Sequence, residues 1–292
     1  MKTAFSFVHP AVSFFYYIGA AVLAMTLLHP VFLGLGTLLL LLLNRLQGNA
    51  GVSGRMLRAS FMVALFIVII NPLFTHRGRT IVWYLFQNPV TMEAIIYGLT
   101  MACSFLLLAA VFISYQQTIS SHQFLYLFAR FSPKAALLTM IAIRFVPLLL
   151  QRLSHIALVQ QTKGVQMEHG SVRLRIRHGM QILSVLLVCS LEEALQTADS
   201  MQARGFGAVK RSTYVAYRMT GRDWLILSCL LVLFAACAAG AAGGLGILAI
   251  YPKLQSVWPR PAEWPVVAAF MLYMSIPILI EGREWVWWRM QK

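Results

Sequence analysis

Long apolar runs alternate with short, mostly basic links along this chain. Residues 11–28 form the first run, and His29-Pro30 breaks it before a second run at 31–46. Both are short for full bilayer spans of about 20 residues, so the pair predicts a tilted or incompletely crossing hairpin. A Gly-containing loop (Gly48, Gly51, Gly54) among Arg45, Arg55 and Arg58 leads to a third run at 59–74, which ends at Asn71-Pro72. A polar link with Arg77 and Arg79 precedes a fourth run at 94–115, and two more, 224–250 and 264–281, follow later.

Between 116 and 222 the pattern changes. This stretch holds 13 Lys and Arg against four acids, yet keeps apolar blocks at 135–150 and 180–191. The first block carries Arg144 and Pro147, and the second is short. Both read as half-buried helices at the membrane boundary, with two extra spans as the alternative that preserves parity. Helical stripes continue from each block. Leu149, Leu153, Ile156 and Val159 lie on a helix running from about Pro133 to Lys163. Leu191, Ala194, Leu195, Ala198 and Met201 lie on a second that stops at Arg204, with Glu192, Glu193, Gln196, Thr197, Asp199 and Ser200 on its other side. Each helix finishes in a cation followed by glycine: Lys163-Gly164 and Arg204-Gly205. One reading is an ordinary cap, in which the cation offsets the helix dipole. The other is a docking tip for an acidic groove, where an arginine fork pairs with carboxylates and carbonyls.

Composition fixes the class. Hydrophobic residues make up 59% and charged residues 11%, against about 25% charged in soluble domains. The chain is read as an all-α, polytopic membrane protein. Its +15 charge lies between apolar runs rather than on a soluble basic face, which points to topology and away from nucleic acid. With both termini, the 44–58 loop and the 116–222 region on one side, that side receives twenty of the 24 Lys and Arg. This predicts about six spans with both termini in the cytoplasm and a basic cytoplasmic helical domain. The expected divisions are 1–115, 116–222 and 223–292. No small-residue cleavage pattern follows MKTAFSFVHP. Gly240, Gly243, Gly244 and Gly246 suggest close helix packing, and Trp285, Trp287 and Trp288 an interfacial aromatic belt.

The chemistry expected of the chain itself is sparse. Cys103, Cys189, Cys229 and Cys237 stand singly in apolar surroundings and read as packing thiols, and the seven histidines are scattered, so no metal site is expected. There is no GxxxxGK[ST] loop and no nucleophile elbow, so neither catalytic residues nor a bound cofactor are expected. The spans carry almost no ionisable residues, which counts against a self-sufficient channel or secondary carrier. A scaffold whose basic domain holds anionic lipid is the third reading.

These residues carry a family resemblance. The run E-x-A-x-x-x-A-D-x-x-x-A-R-G-F-G stands at Glu192 to Gly207, and Val159-Gln160-Gln161-Thr162-Lys163-Gly164 stands where the related pattern is A-Q-x-A-R-G. Asn71-Pro72-Leu73-Phe74, His76-Arg77-Gly78, Arg144-Phe145-Val146-Pro147 and Arg222-Asp223-Trp224 fall in matching order. The chain resembles the transmembrane T subunit of energy-coupling factor (ECF) transporters, the EcfT/CbiQ family, over nearly its whole length. That resemblance implies a prokaryotic cell-membrane protein whose long amphipathic helices are coupling helices. Its implied partners are two ABC-type ATPase subunits, as a homo- or heterodimer, and a small membrane S subunit that binds a vitamin or metal ion. ATP-Mg would be held by the ATPases and not by this chain. Arg204 would enter the groove of one ATPase, with Ala203 and Gly205 allowing close approach. Thr162, Lys163 and Gly164 would occupy the matching place on the other. Thr162-Lys163 in place of Ala-Arg keeps the charge but drops the bidentate fork.

Overall fold

His-Pro pairs start the first two helices. In a computed structural model of the chain, α1 (Pro10–Thr26) and α2 (Pro30–Leu46) each open on a proline, whose missing N–H costs nothing in the first turn. The preceding imidazoles cap them: Ala11 N–H donates to His9 Nδ1 at 3.2 Å, and Val31 N–H to His29 Nδ1 at 3.3 Å. The structure describes residues 5, 8–47, 50–75, 80–85, 88–129, 131–164, 171–208, 217–250, 255–256 and 258–290. The His76-Arg77-Gly78 landmark lies outside them, as do the side chains of Trp285, Trp287 and Trp288.

After α2 come α3 (Ala50–Phe74), a hairpin of β1 (Ile81–Leu85) and β2 (Asn88–Thr91), α4 (Met92–Thr118) and α5 (Ser121–Ala129). Then follow α6 (Pro133–Thr162), α7 (Val172–Ala203), α8 (Gly221–Ala242) and α9 (Trp264–Met290), the last preceded by a 3-10 turn at Pro261–Glu263. The expected all-α membrane architecture holds. Among the described residues, six helices are long and apolar enough to cross a bilayer, although their membership differs from the sequence expectation. The segments Gly54–Phe74, Met92–Thr118, Pro133–Thr162, Val172–Ala203, Gly221–Ala242 and Pro261–Gly282 qualify, whereas α1 and α2 have only 17 residues each. The blocks at 135–150 and 180–191 are internal parts of α6 and α7, continuous helices of 30 and 32 residues. Their length comes from joining an apolar block to the polar stretch that follows it.

Three local readings need correction. Gly51 and Gly54 belong to α3 rather than to a loop. The 224–250 run is helical only to Ala242, after which Gly244 and Gly246 take φ of 76° and 79° and turn the chain out of the helix. The link before α4 contains the antiparallel hairpin, with Ile81 opposite Thr91 and an irregularity before Trp83 pairs Val90.

Residues Met1–Phe124 and Tyr217–Lys292 form one compact unit, and Leu125–Ala216 a second. In the first, α1, α2, α4, α8 and α9 enclose the apolar core. Small residues let these helices approach closely, as helix packing in lipid requires. Tyr16 of α1 stacks on Tyr273 of α9 with ring centroids 5.4 Å apart. The Tyr16 hydroxyl donates to the Met274 carbonyl at 3.2 Å, and the Tyr273 hydroxyl to the Tyr16 carbonyl at 3.0 Å. A Cβ on Gly19 would collide with the Tyr273 hydroxyl, and one on Gly240 would stand 2.7 Å from Val266 Cγ2. Close packing is thus realised at Gly240 and at Gly246, where a Cβ would stand 2.7 Å from Leu27 Cδ2, while Gly243 and Gly244 end the helix.

Polar groups in this unit are mostly paired across helices. The Tyr17 hydroxyl lies 2.9 Å from Ser114 Oγ and 2.8 Å from Thr118 Oγ1, and Ser114 Oγ donates to Gln47 Oε1 at 3.2 Å. Asn44 Nδ2 donates to the Ala110 carbonyl at 3.2 Å. Buried acids stand at helix starts, where backbone N–H groups and the dipole favour them. Glu93 Oε1 accepts the Thr80 N–H, Glu263 Oε2 the Arg260 N–H, and Asp223 closes a capping box with Thr220. Glu281, buried in α9, is the exception: it sits far from a helix start, at a place the sequence reading left without an ion.

Candidate functional site

The two cation-glycine pairs fall at the ends of the two longest helices. Arg204 is the C-cap of α7, and Gly205 after it takes φ of 74°. Gly205 N–H donates to the Gln202 carbonyl at 2.9 Å, and Phe206 N–H to the Met201 carbonyl at 3.0 Å. This pair of bonds is a Schellman closure, which satisfies end carbonyls and fixes the direction in which the chain leaves. Lys163 is the C-cap of α6, and Gly164 takes φ of 83° with its N–H donating to the Gln161 carbonyl at 3.0 Å. Thr162 turns its hydroxyl back onto the Val159 carbonyl at 2.7 Å. Neither tip glycine has a neighbour that a Cβ would meet, so backbone conformation alone calls for glycine there.

Thr162, Lys163, Gly164, Ala203 and Arg204 are exposed, and Gly205 is half-buried. Among the described residues neither Lys163 nor Arg204 has an ion-pair partner. Glu193, which lies on the same helix as Arg204, pairs instead with Arg152 of α6. The tips are therefore solvated cations on closed helix ends.

That Arg152–Glu193 pair joins α6 to α7. Beside it lies a cavity of about 420 Å³ lined by Arg152, His155, Ile156, Cys189, Glu192, Glu193 and Gln196. Lys163 follows Arg152 by 11 residues and Arg204 follows Glu193 by 11, so each tip stands about 16 Å along its own helix from that pair.

The contact with α6 shows which face of α7 meets protein. Leu191 and Leu195, in the predicted apolar stripe, are 66% and 68% exposed. The half-buried line instead runs through Leu186, Ser190, Glu193, Thr197 and Met201. On α6 the expected stripe does turn inward at Leu149, Leu153 and Ile156, while Val159 is exposed. A polar inner line on α7 leaves its apolar stripe facing outward, where lipid or an apolar partner must cover it. Cys189 is exposed at the cavity and Cys229 exposed on α8, so only Cys237 is a fully buried packing thiol, with Cys103 intermediate. Arg152 was not singled out from the sequence. Its spacing from Lys163, matched by that of Glu193 from Arg204, was the available signal.

The chain is similar in sequence to known membrane transport proteins. The profile of a family named CbiQ and described as cobalt transport protein matches residues 8–215, through α7 but short of α8 and α9. The energy-coupling factor transporter transmembrane protein EcfT of Lacticaseibacillus paracasei is 28% identical over 232 residues, 75% of this chain and 86% of that protein. The EcfT proteins of Bacillus subtilis and Leuconostoc gelidum are 33% identical over 101 residues and 36% over 80, covering 38% and 30% of their own lengths.

Proposed function

The chain belongs to the CbiQ family of cobalt transport proteins, and from that premise we propose that it is the coupling subunit of an ECF-type importer. In this reading the side bearing both termini is cytoplasmic, and α6 and α7 carry force between proteins. Arg204 enters an acidic groove on one ABC-type ATPase, with Ala203 and Gly205 beside it. Lys163, flanked by Thr162 and Gly164, enters the equivalent groove on a second ATPase. ATP-Mg binds and turns over in those partners. Their closure moves the tips, and the helices pass the motion to a membrane S subunit that holds a vitamin or metal ion. The outward apolar stripes of α6 and α7, including Leu138, Leu150, Leu187 and Leu191, offer that subunit a seat.

One observation carries the reading: two solvated cations stand on glycine-closed helix ends, each 11 residues beyond its own helix's member of the Arg152–Glu193 pair. A helix dipole favours a cation near its last carbonyls but sets no matched spacing from an interhelical ion pair. The test is co-purification from membranes. Arg204→Ala is expected to leave the protein inserted and to weaken ATPase association by about 2–5 kcal/mol, the cost of stripping one partner from a desolvated charge pair. Undiminished recovery of both ATPases with that variant would remove the assigned role.

A further inference from the structure

We infer that Arg152 and Glu193 form a positioning pin that sets the splay of the two tips and acts as their shared pivot. Two helices packed through interdigitating apolar side chains resist rotation, because every ridge must leave its groove. The contact of α6 and α7 mixes two kinds of packing. Around the pair the inner line of α7 is Ser190, Glu193 and Thr197, with Leu186 and Met201 at its ends and Leu149, Leu153 and Ile156 half-buried on α6, and the exposed Cys189, Glu192 and Gln196 open the adjoining cavity to solvent. An ion pair between half-buried groups ties the helices at this polar stretch, and the cavity beside it leaves room for movement there.

The arms are matched about that pair. Eleven residues separate each member of the pair from the cation on its own helix, so a rotation of about 10° displaces each tip by about 3 Å. Moving the pin by one turn along either helix would make the arms unequal. Pro147 lies five residues before Arg152 in α6, so any kink it introduces falls outside the arm that leads to Lys163. The pivot's use in transport rests on the coupling reading. The pin itself rests only on that contact.

The test is a distance measurement on the full chain in nanodiscs without partners. The four cysteines are replaced and spin labels are placed at Gln161→Cys and Gln202→Cys, exposed positions just before each tip. Pulsed dipolar spectroscopy is expected to give one narrow population for the parent. Arg152→Ala and Glu193→Ala should each widen it about twofold or more, and the swapped pair Arg152→Glu with Glu193→Arg should narrow it again, as a coupled pair requires. If an alanine variant does not insert, Arg152→Lys, which keeps charge but loses the fork, should give an intermediate width. Unchanged widths in the single variants, or a swapped pair as broad as they are, would overturn the pin. Because no ATPase is present, failure here would leave the docking of Arg204 standing, and failure of docking would leave the pin standing.

Discussion

The helix-packed unit and the unit containing α6 and α7 use apolar surface in opposite ways. In the first, the apolar window of α9 is 39% buried, with tyrosines and glycines bringing α1 and α9 into direct contact. In the second, the windows of α6 and α7 are each 6% buried, and the face between them is partly polar. Hydropathy alone makes the two sets of helices look alike. What separates them is where small residues and hydroxyls allow backbones to close up. The first unit therefore buries apolar residues between α1, α2, α4, α8 and α9, with α3 at 11% an exception, and α6 and α7 keep apolar faces for lipid or another protein.

The contrast breaks most readily in the first unit. Gly19→Leu drives a side chain into Tyr273 and should cost about 1–3 kcal/mol, as overpacking does, seen as a lower Tm of the purified protein. The same substitution should leave the tips exposed and intact. Gly205→Ala makes the opposite change. It strains only the left-handed residue after Arg204, a penalty of about 1–2 kcal/mol confined to the tip, so amides near Phe206 should exchange faster while Tm holds. A fall in Tm matching that of Gly19→Leu would mean that the tip is packed rather than exposed. Smallest is Lys163→Arg, which restores the fork and should tighten ATPase binding or leave it unchanged. A severe loss in the same co-purification assay would show a groove shaped around lysine.

Much of the fold was legible because its signals are local. Pro133 and Lys163-Gly164 bracket α6 as the sequence indicates, and Arg204-Gly205 closes α7. Spans such as α4 and α9 follow from unbroken hydropathy. The start of α7 at Val172 was less visible, because arginines at 173, 175 and 177 interrupt its apolar pattern. The hairpin at 81–91 was missed within a link read only as polar. The face of α7 that meets α6 was not legible, for a deeper reason. An amphipathic pattern tells which face is apolar, not which face meets protein, and in a membrane-associated helix the apolar side has lipid as an alternative. Glu281 was invisible for a related reason, since its burial depends on neighbours from distant segments.

The most direct measurement of the central claim is solute uptake by proteoliposomes assembled from defined components. Uptake is expected only when this chain, both ATPases, an S subunit and ATP-Mg are all present, and none when Arg204→Ala replaces the parent chain. Uptake by this chain as the sole protein, with no nucleotide supplied, would contradict it.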